Sequence, residues 1–365
     1  MNGQDKNVKV LIVDDSAFAR IMIAKHLAAD PSIEVVGTAR DGIDALDKIK
    51  ALKPDVVTLD VEMPKMDGVT ALEKIMADCP TPVVMLSNLT AAGADVTIRS
   101  LEIGAVDFFL KPSLINPAGT DDMDGELVQK IKQASRVDVA RVTSRLQRIV
   151  ADLHRSKTKP RQARQGRNGK VDRLLIIGSS TGGPRALYEI VPNLPSDLPA
   201  AILIVQHMPP KFTRSIAERL DEISLIRVKE AEPGDCVSTG QALVAPGGFH
   251  MVMKANGQIV LNQDKPRCGL RPAVDVTMGA AAKIYGSRCV GVILTGMGND
   301  GTQGAAMIKA GGGMILAEHE STCVVYGMPR SVAEAGLADK VVPLNRMVDE
   351  IKAACGRPME SMVNI

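Results

Sequence analysis

The sequence predicts an α/β protein made of two doubly wound domains. Three observations carry this. The chain has 365 residues, more than one typical domain holds. Through its first 130 residues, short continuous apolar runs alternate with helical patterns, which marks a parallel sheet covered on both faces. A second alternation of the same kind starts at "VDRLLIIG". The composition, 45% hydrophobic and 24% charged, is that of an ordinary globular chain.

The elements follow in order. "VKVLIV" is the first strand and runs into Asp14 and Asp15; Ser16 then caps a helix over "SAFARIMIAKHLAAD". Next come "IEVVGTA", a helix near "DGIDALDKIKAL", "DVVTLD", a helix near "GVTALEKIMADC", "PVVMLS", a helix near "AGADVTIRSLEIG", and "AVDFFLKP". Leu127, Ile131, Ala134, Leu146, Ile149 and Leu153 recur at roughly helical spacing, so the last helix is expected to continue into a linker helix. The expected division is a first domain over 1–130, a linker over 131–170 and a second domain over 171–365. In the second domain a strand ends at about Ile177, and further strands are read at "AAILIVQ", "QALVAP", "CVGVILTG", "GGMILA" and "KVVPL". Helices are read near 184–191, 212–222, 273–285, 301–310 and 329–336, and the halves share no internal repeat.

The linker contains "SKTKPRQARQGRNGK", with Pro and Gly and almost nothing to bury, so a flexible tether is expected. Residues 134–170 hold eleven Lys/Arg against two Asp/Glu, a local +9 in a chain of net +2, so the rest carries −7. Such a tract binds nucleic acid or anionic membrane in some proteins and is a solvated tether in more. A DNA-binding regulator is disfavoured because residues 171–365 show no helix-turn-helix signature. No apolar run approaches a membrane span, and "MNGQDKNVKV" is too polar for a signal peptide. A cytoplasmic protein without membrane insertion, monomeric, is expected. The six cysteines never form a C-x-x-C pair, so neither zinc nor a disulfide framework is expected, and buried reduced thiols are.

Ligands of doubly wound sheets bind at the carboxyl ends of the strands. Asp14 and Asp15 end the first strand, Asp60 the third, Ser87 the fourth and Lys111 the fifth. Three clustered carboxylates repel one another and favour a hard divalent cation, most simply Mg²⁺. Lys111 and the Ser87 hydroxyl are placed to hold the oxygens of a phosphoryl group that a carboxylate attacks. Each residue alone is an ordinary strand end; together they are a pattern. "VLIVDDS", "LDVEMPKMDG", "MLSNLT" and "FLKPS" resemble the receiver domain of two-component response regulators, over roughly residues 6–130. The resemblance implies a flavodoxin-like fold and phosphorylation of Asp60 by a histidine kinase. It further implies Mg²⁺ on Asp14, Asp15, Asp60 and the main-chain carbonyl of Glu62. Ser87 and Phe108 stand at the family's switch positions, with Lys111 beside them.

"LIIGSSTGGP" turns a strand into a helix start, where backbone N–H groups bind anions. It fits neither G-x-G-x-x-G nor the P-loop, which wants a lysine. A hydrolase needs a base and an orienting acid. His26 lies in a first-domain helix, His154 in the linker, and His250 and His319 read as surface or loop residues. His207 follows "AAILIVQ" at a strand end, and "VGVILTGMGNDG" delivers Asp300 from another. Spacing leaves both the triad and coincidence open, since loops of α/β folds are rich in Gly, Asp and Ser. It also leaves Ser179 and Ser180 unresolved.

"GSSTGGP", "VQHMPPKFT", "APGGFHM", "RPAVDV" and "LTGMGNDG" are similar to the methylesterase domain of the CheB family, over about 172–355. That family joins a receiver, a linker and this domain in the same order. The resemblance implies a Rossmann-like domain with a mostly parallel sheet. It implies Ser180 as nucleophile, His207 as base, Asp300 as orienter, and the backbone amides of Thr181 and Met297 as oxyanion donors. No metal or cofactor is expected in this half. The substrates implied are glutamate methyl esters, and certain glutamines, on methyl-accepting chemoreceptors. Leu270 departs from the polar residue or histidine common before Arg-Pro, a difference that touches substrate contacts more than chemistry.

Overall fold

The computed structural model describes residues 7–111, 123–137, 139 and 171–356. The basic run from 140 to 170, with His154 and the expected linker helix beyond 139, lies outside the described residues. The chain forms two compact units, Met1–Ala151 and Asp152–Ile365.

The first unit is a five-stranded sheet of β1 (Val8–Val13), β2 (Ile33–Ala39), β3 (Val56–Asp60), β4 (Val83–Ser87) and β5 (Asp107–Leu110). All pairs are parallel and the order is β2-β1-β3-β4-β5, the flavodoxin-like order. Helices α1 (Ala17–Ala28), α2 (Gly42–Leu52), α3 (Gly68–Asp78), α4 (Ala91–Ile103) and α5 (Met123–Ala134) cover it, α1 packing on α5 and α2, α3, α4 in series. Four of these helices start as N-caps require: the Ser16, Asp41, Asp67 and Thr90 side chains accept from the N–H three residues on.

The second unit is a seven-stranded sheet of β6 (Arg173–Ser179), β7 (Ala200–Gln206), β8 (Arg227–Glu230), β9 (Gln241–Val244), β12 (Cys289–Ile293), β13 (Met314–Glu318) and β14 (Lys340–Val342). The order is β14-β13-β12-β6-β7-β9-β8, parallel throughout. A separate antiparallel hairpin joins β10 (His250–Met253) to β11 (Ile259–Asn262). The helices are α6 (Gly183–Ile190), α7 (Phe212–Ile223), α8 (Val274–Tyr285), α9 (Thr302–Ala310), α10 (Met328–Glu334) and α11 (Leu344–Gly356). β6 and β7 are buried at every position, which is why they read as unbroken apolar runs rather than alternating ones.

Four readings change. The β6 strand runs to Ser179 instead of stopping at about Ile177, because Ser179 satisfies its hydroxyl inside the sheet. His250 is buried at the start of β10, its Nε2 3.3 Å from the Lys265 carbonyl, not a surface residue. Strand β8 and the β10–β11 hairpin went unread, and so did helix α11, although Leu344, Met347, Ile351, Ala354 and Cys355 line its buried face at helical spacing. The six cysteines are unpaired as expected, but Cys236 and Cys268 are exposed. Among the described residues no helix is long and apolar enough to cross a membrane.

Ile176 lies in the middle of β6 with no exposure, inside the core shared with Leu203, Val274 and Ile293. Ile176→Ala is expected to destabilise the second unit by about 2–5 kcal/mol. A denaturation midpoint unchanged from the parent protein would contradict that placement.

Candidate active site

In a parallel sheet, the central strand whose two neighbours leave in opposite directions opens a crevice at its carboxyl end. Each unit has one: β1 lies between β2 and β3, and β6 between β7 and β12. Every charged side chain singled out from the sequence sits at one of these two places.

In the first unit Asp14 follows β1 and Asp60 ends β3, both buried, with Asp15 exposed beside them. One carboxylate oxygen of each lies within 4.8 Å of the others. The Lys111 ammonium is 2.6 Å from Asp60 Oδ2 and 2.9 Å from Asp14 Oδ2. Burial pushes the Asp60 carboxyl up to about 6 and Asp14 adds to this, against the pull of Lys111. Burial works to depress Lys111, but the two carboxylates hold its pKa above the ordinary value. Three hard oxygen donors around one buried, charge-crowded point suit a small divalent cation. The Glu62 N–H lies 3.4 Å from Asp60 Oδ1.

Ser87 is engaged elsewhere. Its Oγ contacts the carbonyls of Asn88 and Gly93 at 3.3 Å, and Thr97 Oγ1 is 2.7 Å away. The hydroxyl is thus tied to α4 rather than hydrogen-bonded to an acid. Phe108 is buried, with the Lys130 ammonium 5.4 Å from its ring centre and 3.0 Å from its carbonyl. Arg20 also went unread: its guanidinium donates to the Asp14 and Asp15 carbonyls at 2.7 and 3.0 Å. A basic residue one helical turn beyond the Asp-Asp pair was the available signal.

In the second unit three neighbouring strands bring the site together. Ser180 follows β6, His207 follows β7, and Asp300 stands in the loop after β12. His207 Nε2 lies 2.7 Å from Asp300 Oδ2, both side chains being buried. Asp300 also accepts the Val274 and Asp275 N–H groups at 2.6 and 2.9 Å, at the first turn of α8. Burial alone would raise the Asp300 pKa; the His207 contact and these backbone donors overcome it and hold the carboxyl low. Asp275 returns the arrangement by accepting the Gly301 and Gly304 N–H groups at 2.9 and 2.7 Å, at the start of α9. Each acid caps the other's helix.

The two serines differ sharply. Ser179 is fully buried and donates to Gln206 Oε1 at 2.6 Å. The Gln206 amide then donates to the Ser180 carbonyl at 2.9 Å. Gly183 makes room for this: a Cβ there would lie 1.9 Å from Gln206 Oε1. Gly182 takes φ +78°, a left-handed conformation that glycine adopts freely, and turns the chain into α6. Ser180 is the first residue off the strand and only partly buried. Its N–H donates to the Thr295 carbonyl at 3.0 Å. Thr295 Oγ1 donates to the Thr181 carbonyl at 2.9 Å. The Gly296 carbonyl accepts from Gly327 and Met328, while among the described residues no backbone acceptor takes the Met297 N–H. Gln206, Asp275 and Thr295 went unread because amide, carboxylate and hydroxyl groups beside strand ends are too common to stand out singly.

Residues 175–351 match the CheB methylesterase family, and residues 10–117 match the response regulator receiver domain. A protein-glutamate methylesterase/protein-glutamine glutaminase of Symbiobacterium thermophilum is 51% identical over 96% of this chain and 97% of its own. One of Thermotoga maritima is 46% identical over 95% of this chain and 98% of its own. One of Pyrococcus horikoshii is 45% identical over 96% of this chain and 94% of its own.

One buried acid beside the site titrates abnormally. Burial pushes Glu318 up to about 7 from the ordinary 4.5, although the Thr295 N–H, 2.8 Å from its Oε2, favours the charged form. An acid with a raised folded-state pKa binds its proton more tightly when folded. Its cost to stability is therefore absent below about pH 4.5, grows as pH rises, and is complete above about pH 7. At one pKa unit per 1.36 kcal/mol, the shift corresponds to about 3 kcal/mol as an upper bound. Glu318→Gln cannot ionise, so it is expected to raise the melting temperature at about pH 8 and leave it unchanged near pH 4.5. A shift of equal size at both pH values would sink this account.

Proposed function

Because this chain belongs to the protein-glutamate methylesterase/protein-glutamine glutaminase family, with an N-terminal receiver domain and a C-terminal CheB methylesterase domain, we propose that it hydrolyses glutamate methyl esters on chemoreceptors. It deamidates specific receptor glutamines at the same site, and phosphorylation of Asp60 raises its output. The observation that carries the reading is the His207–Asp300 contact of 2.7 Å, assembled from the loops on either side of the Ser180 turn.

Asp300 keeps its charge in a buried place, fixes the imidazole through Nε2 and leaves Nδ1 as the basic nitrogen. Ser180 Oγ attacks the ester carbonyl carbon while Nδ1 takes its proton. The tetrahedral oxyanion is held by the Thr181 and Met297 N–H groups, a contribution of about 3–4 kcal/mol per donor in related chemistry. The C–O bond breaks, methanol leaves with the proton from Nδ1, and an acyl-serine remains. Water then repeats the sequence and releases the glutamate carboxylate. With a glutamine the leaving group is ammonia.

In the receiver, the Asp60 carboxylate attacks the phosphorus of a phosphohistidine, forming an O–P bond as the N–P bond breaks. The phosphodonor is a chemotaxis histidine kinase. Lys111 offers positive charge to the phosphoryl oxygens. Asp14, Asp15, Asp60 and the Glu62 carbonyl would hold Mg²⁺, which when bound neutralises the anionic charge around the attacking carboxylate. The reading includes a cytoplasmic location, which suits a kinase and the cytoplasmic parts of receptors as partners.

Two outcomes test this. Ser180→Ala is expected to abolish methanol release from methylated receptor membranes. Ser179→Ala, which loses only the Gln206 anchor, should retain most of it; the reverse ranking would refute the choice of serine. Asp60→Ala should keep basal hydrolysis and lose all stimulation by a small phosphodonor, and stimulation surviving in that variant would remove Asp60 from the role.

A further inference from the structure

A buried carboxylate is costly unless hydrogen bonds or an opposite charge compensate it. Glu318 ends β13 with no exposure, and its Oε2 accepts the Thr295 N–H at 2.8 Å. Thr295 in turn meets the Ser180 turn at two points. Its carbonyl accepts the Ser180 N–H at 3.0 Å, and its hydroxyl donates to the Thr181 carbonyl at 2.9 Å. The hydroxyl oxygen also accepts the Val325 N–H at 2.9 Å, which ties in the loop between β13 and α10. The bonds thus run from β13, through the loop after β12, to the turn after β6, and these three strands are consecutive in the sheet.

We propose that Glu318 is a positioning residue for the ester hydrolysis, acting through Thr295 to hold the backbone on both sides of Ser180. This rests on the reading of Ser180 as the nucleophile. Gln206 grips the same turn at the Ser180 carbonyl, so the short segment is held from two neighbouring strands. The Thr295 backbone also leads, within two residues, to the Met297 N–H. One displaced residue would therefore misplace the nucleophile and an oxyanion donor together. The Thr322 side chain and the charged Arg185 and Glu189 of α6 also face Glu318.

The test uses the full chain, methylated receptor membranes, and labelling of Ser180 by a fluorophosphonate. Glu318→Met fills the space with an apolar side chain and removes the acceptor. It is expected to lower kcat by about 10- to 100-fold and the labelling rate in parallel, with KM within about twofold, the pattern of misaligned reacting groups. Glu318→Gln keeps an acceptor oxygen and should recover at least about a third of the parent kcat. Full kcat in a Glu318→Met protein that is folded by circular dichroism overturns the proposal. So does a Glu318→Gln protein as slow as Glu318→Met. If Glu318→Met does not fold, Glu318→Asp decides, since it draws the carboxylate back by one methylene from the Thr295 N–H: a kcat loss of about tenfold or more supports the proposal, and parent-like kcat overturns it. Ser180→Ala run alongside separates the two readings. Methanol release persisting in Ser180→Ala overturns the nucleophile; an inactive Ser180→Ala beside a fully active Glu318→Met overturns the positioning role alone.

Discussion

The chemistry of this chain depends on a topological constraint. Right-handed crossovers let a parallel sheet grow outward in both directions only from a central strand, and that strand's carboxyl end is left without a covering connection. The β1 end in one unit and the β6 end in the other are such places. Side chains far apart in sequence meet there because adjacent strands end there, not because the sequence spaces them. Ser180, His207 and Asp300 are separated by 27 and 93 positions, yet they come from the loops after β6, β7 and β12, which lie side by side.

The two crevices use charge differently. The receiver site gathers three carboxylates and one ammonium, and burial, with Asp14 adding to it, raises the Asp60 pKa against the pull of Lys111. Such a site is ready for a cation and a transferred anion. In the second site the Asp300 carboxylate meets one imidazole and three backbone N–H groups. There Asp300 is held low beside the imidazole, while Glu318, whose pKa burial raises, is set back behind Thr295.

Backbone control is the other feature of the second site. The Ser180 N–H, the Ser180 carbonyl and the Thr181 carbonyl are each taken by a different group. The side chain at 180 is thereby presented by a turn that has little freedom left. Asp275 and Asp300 serve the same end by capping each other's helices, so the loop carrying Asp300 is anchored at both α8 and α9.

The fold class, most strands and helices of both units, and the residues at the strand ends are legible in the order of the amino acids. This was possible because strands buried on both faces are continuous apolar runs, and caps and glycine turns are local. The receiver cluster was legible for the same reason: a flavodoxin-like order puts the ends of the first and third strands together. The choice between Ser179 and Ser180 was not legible in spacing. It turns on which hydroxyl a strand end buries, and that depends on Gln206 of the neighbouring strand. The roles of Gln206, Thr295, Asp275 and Glu318 were likewise decided by tertiary structure. Each is an ordinary polar residue until a strand from elsewhere brings it a partner, and hydrogen bonds across a parallel sheet leave no period in the sequence.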